Sequence, residues 1–205
     1  MYYAESMSPG FRMGDIVRGF VLSAAKQSRP VTSLHDYQVN VRNPAFAVIL
    51  TPCCSIKEGT VALAPLAEIS TQWLKNPYFE KDLTNINRPM NAEQALPPGK
   101  WDELTESERE KRLQSGSAYA LHHWFVFPPH PMLPSYPLRV RGSDVSVSHY
   151  CTDFRAIHRV ECQAVGDPKT HPVDVKVLEL TPAARGELRV KLAHYFGRVP
   201  DEDVS

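Results

Sequence analysis

Prolines 128, 129, 131, 134 and 137 crowd one short stretch of this chain. Each fixes its own φ and removes a backbone donor, so neither a helix nor a central strand can pass through that stretch. It reads as an extended connector. Its apolar neighbours Met132, Leu133 and Tyr136 predict that it lies against the body of the protein, since a floating linker is more often polar. The longest apolar runs, Ala45–Leu50 and Trp124–Phe127, have strand length and fall far short of the ~20 residues that cross a bilayer. No membrane association is expected.

A chain of 205 residues with 42% hydrophobic residues suits one domain with a real core. Lysine plus arginine and aspartate plus glutamate both number 23, so no global field draws in nucleic acid or anionic lipid. The opening MYYAESMSPGFRMGD lacks the basic and apolar regions of a secretory signal, and four cysteines then read as reduced thiols. The expected location is the cytoplasm.

Strand character dominates the first third. Phe11–Leu22 reads as a strand introduced by a turn at Gly14-Asp15, and Tyr37–Arg42 alternates as a half-buried strand does. Ala45–Leu50 suits a strand buried on both faces. A turn at Lys57-Glu58-Gly59 then returns the chain along Thr60–Leu66. In the middle, Glu68–Leu74 is read as a short helix and Asn76–Pro98, with its four prolines, as irregular. Thr105-Glu106-Ser107-Glu108 is a capping-box pattern that predicts a charged surface helix to about Gln114, ending at Ser115-Gly116. Tyr119–Phe127, Leu138–Val147 and Thr152–Cys162 are further strand candidates. Thr181-Pro182 starts a last helix whose apolar face is expected to be Leu188, Leu192 and Tyr195–Phe196, with Gly197 as its stop.

Met13-Gly14-Asp15-Ile16-Val17, Asn43-Pro44-Ala45-Phe46-Ala47-Val48-Ile49-Leu50 and Val61-Ala62-Leu63-Ala64-Pro65-Leu66 together resemble the strand framework of MazF/PemK-type barrels. Those are SH3-like barrels that serve as bacterial RNA-cutting toxins. With Thr51-Pro52-Cys53-Cys54-Ser55-Ile56 added, the stretch is more similar to a set of uncharacterised bacterial proteins, in which a Ser/Thr-x-x-Cys-Asp-Ile turn follows the buried strand. Cys151–Ile157 and the final helix ending in Gly197-Arg198 are similar to that set too. This chain departs from it at Ser55, where the group usually has Asp. The resemblance implies an α+β, β-dominant fold. In it, an SH3-like barrel core (about 11–67 and 119–180) carries a helical and proline-rich insertion (about 68–118). The C-terminal amphipathic helix (about 181–197) closes a single domain over 1–205.

Several residues carry candidate chemistry. The resemblance places Arg42 near the position of the toxins' arginine, but Ala67, followed by Glu68, stands where a hydroxyl would be needed. His149 and Cys151 on one strand face, with His158 and Cys162 at an even spacing, could supply zinc ligands; Cys53 and Cys54 offer further thiolates, though no Cys-x-x-Cys occurs. Buried free cysteine is the ordinary alternative, so the expectation is no cofactor, with zinc as the other reading. Cys53 or Cys54 could also act as a nucleophile if a helix N-terminus or one of His35, His122, His123, His149 and His158 lowered its pKa. The run His122-His123-Trp124-Phe125-Val126-Phe127 could stack on bases, but it lacks surrounding positive charge and reads better as a core strand with histidines near its edge.

No complete catalytic constellation is visible. The expected function is therefore a non-enzymatic module that binds a protein partner, an accessory protein of a bacterial system. The resemblance adds mobile-element, phage-defence or toxin–antitoxin settings. The alternative is a MazF/PemK-like endoribonuclease with a rearranged site, whose partner is RNA. The sequence leaves the oligomeric state open.

Overall fold

The computed structural model describes residues 1–27, 37–56, 59–79, 81–92, 94–96, 98–115, 120–140, 142–161 and 176–197. The structure is α+β and rich in strand. In chain order, β1 (Ile16–Val17), β2 (Leu22–Gln27), β3 (Tyr37–Arg42) and β4 (Ala47–Ile49) precede α1 (Cys53–Ile56) and β5 (Thr60–Glu68). Then come α2 (Leu83–Asn87), α3 (Glu106–Gln114), β6 (Trp124–Phe127), β7 (Tyr136–Val140) and β8 (Ser143–Val147). The last elements are β9 (Tyr150–Asp153), β10 (His158–Glu161), β11 (Lys176–Leu178) and α4 (Pro182–Gly197).

The chain separates into two compact units. One comprises Met1, Tyr3–Leu66 and Ala156–Leu180; the other comprises Tyr2, Ala67–Arg155 and Thr181–Ser205. Residues 119–155, expected within the barrel core, thus group with the 68–118 segment and with α4.

In the first unit, β11, β1, β4, β5 and β10 lie side by side, each antiparallel to its neighbour, and β2 and β3 form a separate hairpin. The unbroken apolar run predicts a doubly buried strand, and all three residues of β4 are buried. The single strand expected over Phe11–Leu22 is instead divided. Only Ile16–Val17 pair as β1, because Gly19 turns the chain at φ 88° and β2 begins at Leu22. Val17, Phe20, Leu22, Ala47, Ile49, Ile56, Val61 and Leu63 form the core of this unit, with Phe11 and Val160 packed on it. Among the described residues the strands form open sheets and no closed barrel.

In the second unit, α3 starts at the expected capping box. Glu108 N–H donates to Thr105 Oγ1 at 3.4 Å, while Thr105 N–H donates to Glu108 Oε2 at 2.8 Å. No residue of α3 is buried, as a charged surface helix requires. The helix expected over Glu68–Leu74 is absent. Residues 67–68 finish β5, and a 3-10 turn, Trp73–Lys75, follows. The segment read as irregular contains α2, whose N-cap Asp82 accepts from Thr84 N–H at 3.0 Å. Leu138–Val147, read as one strand, is the hairpin of β7 and β8, reversing at Gly142 with φ 87°. Pro137 sits inside β7 opposite Ser146, three residues back from the closing pair Val140–Ser143, where alternation turns its nitrogen away from β8 and towards an edge that no described strand pairs. In the proline stretch Leu133 and Tyr136 are buried as expected, but Met132 is exposed.

The last helix starts where Thr181-Pro182 places it, with Ala184 N–H donating to Thr181 Oγ1 at 3.4 Å. Its buried face is Ala184, Leu188 and Lys191. Leu192 and Tyr195 are half-buried and Phe196 is 63% exposed, so the expected apolar face is rotated by part of a turn. Among the described residues, no helix is long and apolar enough to cross a membrane.

Candidate functional site

The second unit contains a cavity of about 200 Å³ lined by Trp73, Leu96, Leu121, Trp124 and three alanines (92, 95 and 120), with His122 and His123 at one side. Trp73, Ala120 and Leu121 form its buried wall, while Ala92, Ala95, Leu96, His122, His123 and Trp124 are half-buried, so the cavity opens to solvent. Local chemistry fixes its parts. The Trp73 turn is closed by Trp73 N–H to Ser70 O at 3.0 Å and Asn76 N–H to Trp73 O at 2.9 Å. The Trp73 and Trp124 rings meet edge to face with centroids 5.0 Å apart.

The strand β6 holds the histidines in place. Phe125, Val126 and Phe127 are fully buried, and β6 pairs with β9 in the register Trp124↔Asp153 to Phe127↔Tyr150. Along its other edge the Asn87 side chain acts as a strand partner. It donates to Val126 O and accepts from Val126 N–H, both at 2.8 Å. His123 O then accepts from Phe154 N–H at 2.9 Å, which fixes the residue just before the strand.

His122 and His123 cross edge to face, centroids 4.2 Å apart, with His123 Nδ1 3.0 Å from His122 Nε2. The rings of Trp124 and Tyr195 continue the row on either side, at 5.4 and 6.4 Å. Burial, helped by His122 and by the Arg155 cation, pushes the His123 pKa down to about 4, with Asp153 opposing. His123 is thus a neutral imidazole at neutral pH. Arg155 is engaged elsewhere: its Nε and Nη2 fork onto the Asp153 carboxylate at 3.0 and 2.7 Å. The arrangement can receive one ring system against two indoles and offer it a neutral hydrogen-bonding imidazole.

Two wider depressions, of about 510 and 470 Å³, share Phe79, Pro129 and His149. His149 is the zinc candidate there. Its ring stands edge to face on Phe79 at 5.4 Å, and its carbonyl accepts from Tyr136 Oη. Cys151 is buried, donates to Ala67 O at 3.5 Å, and burial raises its thiol pKa, the opposite of what a ligand or nucleophile requires. His158, in the other unit, places Nδ1 3.0 Å from Ser23 O. Cys162, His35 and the side chains of Cys53 and Cys54 lie outside the described residues. Among the described residues, no three His, Cys, Asp or Glu side chains gather as metal ligands. Arg42 is the exposed last residue of β3, opposite Leu22.

The first unit has its own polar cluster. Lys176 Nζ donates to Asp15 Oδ2 and Glu179 Oε2, both at 3.0 Å, and to Ser8 O at 2.9 Å. Those three acceptors use the ammonium's three donors, so the cluster ties the N-terminal segment to β11 and leaves the cation no capacity for a ligand.

Sequence reasoning singled out the His122–Phe127 run but missed Trp73, Leu96 and Leu121 as its partners, and it missed Lys191. A 184, 188, 191 spacing was the available signal for Lys191. Comparison of the chain with protein-family models, with curated proteins and with solved structures found no match.

Proposed function

We propose that this chain is a non-enzymatic binding module that docks a protein partner by taking one side-chain ring into the Trp73–Trp124 cavity. The cavity carries the reading. An apolar cavity of ~150 Å³ accepts one benzene ring, while drug-sized ligands need ~300 Å³ or more. At about 200 Å³, this one fits a single ring system. Among the described residues its lining has no charged side chain to grip a phosphate or a carboxylate. Interfaces are commonly anchored by one aromatic residue in such a pocket.

The first unit is proposed to be an SH3-like barrel. The antiparallel neighbours β1, β4, β5 and β10 support this, as does the approach of β10 to β2 through His158 and Ser23. An accessory role in a bacterial mobile-element or defence system rests on the resemblance alone. The ribonuclease alternative gains nothing from Arg42, which stands exposed at a strand end, and Ala67 offers no hydroxyl.

The test is tagged purification from the native host, comparing wild type with Ala95→Phe, which fills the cavity without opening a void. Circular dichroism checks that the variant folds. A stoichiometric protein partner, free of RNA and lost in Ala95→Phe, is the expected result. A partner retained by a folded Ala95→Phe, or RNA recovered with no protein, overturns the reading.

A further inference from the structure

We infer that the Trp73–Trp124 cavity selects a ring bearing a polar hydrogen, the phenol of tyrosine or the indole of tryptophan, over a plain hydrocarbon ring. The inference rests on the docking reading and concerns which ring enters.

Hydrogen-bonding capacity along the wall leads to this choice. The side chains of Trp73, Leu96, Leu121, Trp124 and the alanines carry no hydrogen-bond acceptor, and each indole carries one N–H donor. His123 is different. Its Nδ1 is engaged by His122 at 3.0–3.2 Å, and its Nε2 has no hydrogen-bond partner among the described residues. In a neutral imidazole one nitrogen donates and the other accepts. If Nδ1–H serves His122, Nε2 of this cavity-lining residue is left as a lone-pair acceptor. Its natural complement is an O–H or N–H carried on a ring. The suppression of His123 protonation, by burial and by the neighbouring Arg155 cation, keeps that lone pair available near neutral pH.

A hydrocarbon ring would fill the same volume but cover Nε2 without satisfying it, and a polar group left unpaired on burial carries a penalty. Discrimination by a site built for a hydrogen bond therefore exceeds discrimination by shape alone. A cavity without an acceptor would rank the probes oppositely, because toluene leaves water more readily than phenol does.

The experiment titrates phenol, toluene and indole into the full chain and follows the backbone amides of residues 120–126 by NMR. In wild type, phenol is expected to bind at least as tightly as toluene. In His123→Phe the ratio of phenol to toluene affinity is expected to fall about tenfold, the weight of one hydrogen bond. His123→Gln, which keeps a hydrogen-bonding group, is expected to hold a ratio nearer to wild type. If toluene outbinds phenol in wild type, or if the ratio is unchanged in a folded His123→Phe, the selectivity inference is wrong and the docking reading stands. If no ring moves these amides, the docking reading itself falls. A short glycine–serine peptide with one central tryptophan separates the sources of the ring. Binding comparable to indole fits a protein partner, while indole binding with no peptide binding overturns that partner in favour of a free small aromatic.

Discussion

Replacing Lys191 by methionine should make this protein more stable. Lys191 lies on the inner face of α4 at 1% exposure, and its Nζ donates to Ile86 O at 3.1 Å. Burial, with the Arg88 cation adding to it, pushes the amine well below its usual pKa. Methionine has similar length and flexibility and fills the same space without a charge to desolvate. The carbonyl it abandons is not orphaned, because Leu121 N–H also donates to Ile86 O at 3.3 Å. Lys191→Met then removes a desolvation cost without leaving an unpaired group, and a gain of about 1–3 kcal/mol follows, in the range for apolar replacement of buried charge. The sign of the pH dependence provides a second readout. The unfolded chain binds a proton at Lys191 up to about pH 10.4, while the folded chain gives it up at lower pH. Between those limits the unfolded state holds more protons, so wild-type stability rises with pH, by at most ~1.4 kcal/mol per unit. Urea denaturation from pH 6 to 10, followed by tryptophan fluorescence, measures both effects. A variant less stable than wild type by more than 1 kcal/mol, or one that keeps the wild-type slope at high pH, would refute the reasoning.

Three further outcomes are expected. Asn87→Ala leaves both backbone groups of the fully buried Val126 without the side chain that pairs them, and should cost about 2–5 kcal/mol in the same denaturation assay; a loss under 1 kcal/mol would mean that β6 does not depend on this side chain. Thr105→Ala removes the cap of an exposed helix and should cost about 1 kcal/mol, visible as faster amide hydrogen exchange confined to α3. Burial raises the Glu179 pKa, but two hydrogen bonds from Ser8 and the contact with Lys176 outweigh it and hold the carboxyl down to about 2. That stabilisation is complete above the ordinary value of 4.5 and is lost as pH falls toward 2, to an extent of up to about 3 kcal/mol. Asp15, whose pKa burial raises, contributes with the opposite sign. Glu179→Gln should therefore flatten the decline in stability between pH 4.5 and 2.5, and an unaltered acid limb would count against the assignment.

The elements legible in the sequence are those whose causes lie within a few residues. The Thr105/Glu108 box works across three positions, and α3 begins and ends where it says. Thr181-Pro182 starts α4 for the same reason, and the Ala45–Leu50 run needs only its own hydrophobicity to become a buried strand. Misreadings arise where tertiary context decides. Composition gives Phe11–Leu22 strand propensity throughout, but the positive φ at Gly19 ends pairing in mid-run. Proline density hid α2, because none of those prolines falls within Leu83–Asn87 and the cap at Asp82 needs only a local bond. The apolar residues of α4 point to a face through Leu192 and Tyr195–Phe196, whereas the buried face runs through Ala184, Leu188 and Lys191. A lysine stem packs like an apolar chain when a carbonyl waits at its end, and Phe196 finds no such enclosure.

The run His122–Phe127 shows why the site was harder to read than the fold. Alternation predicts that positions 123 and 125 share one face, yet it applies only inside a strand, and β6 begins at Trp124. From Phe125 onward the side chains are core; before Trp124 they border a cavity whose far wall is Trp73. Hydrophobicity decided the first half of that division and left the second undetermined. The missing wall comes from residues 73, 92, 95 and 96, none of which forms a pattern with the histidines along the chain. Among the described residues no charged side chain lines the cavity, and Arg155 is committed to Asp153. On the proposed docking reading, ligands are discriminated by shape, which suits one ring, and by the hydrogen-bonding state of His123, which burial and the Arg155 cation hold neutral.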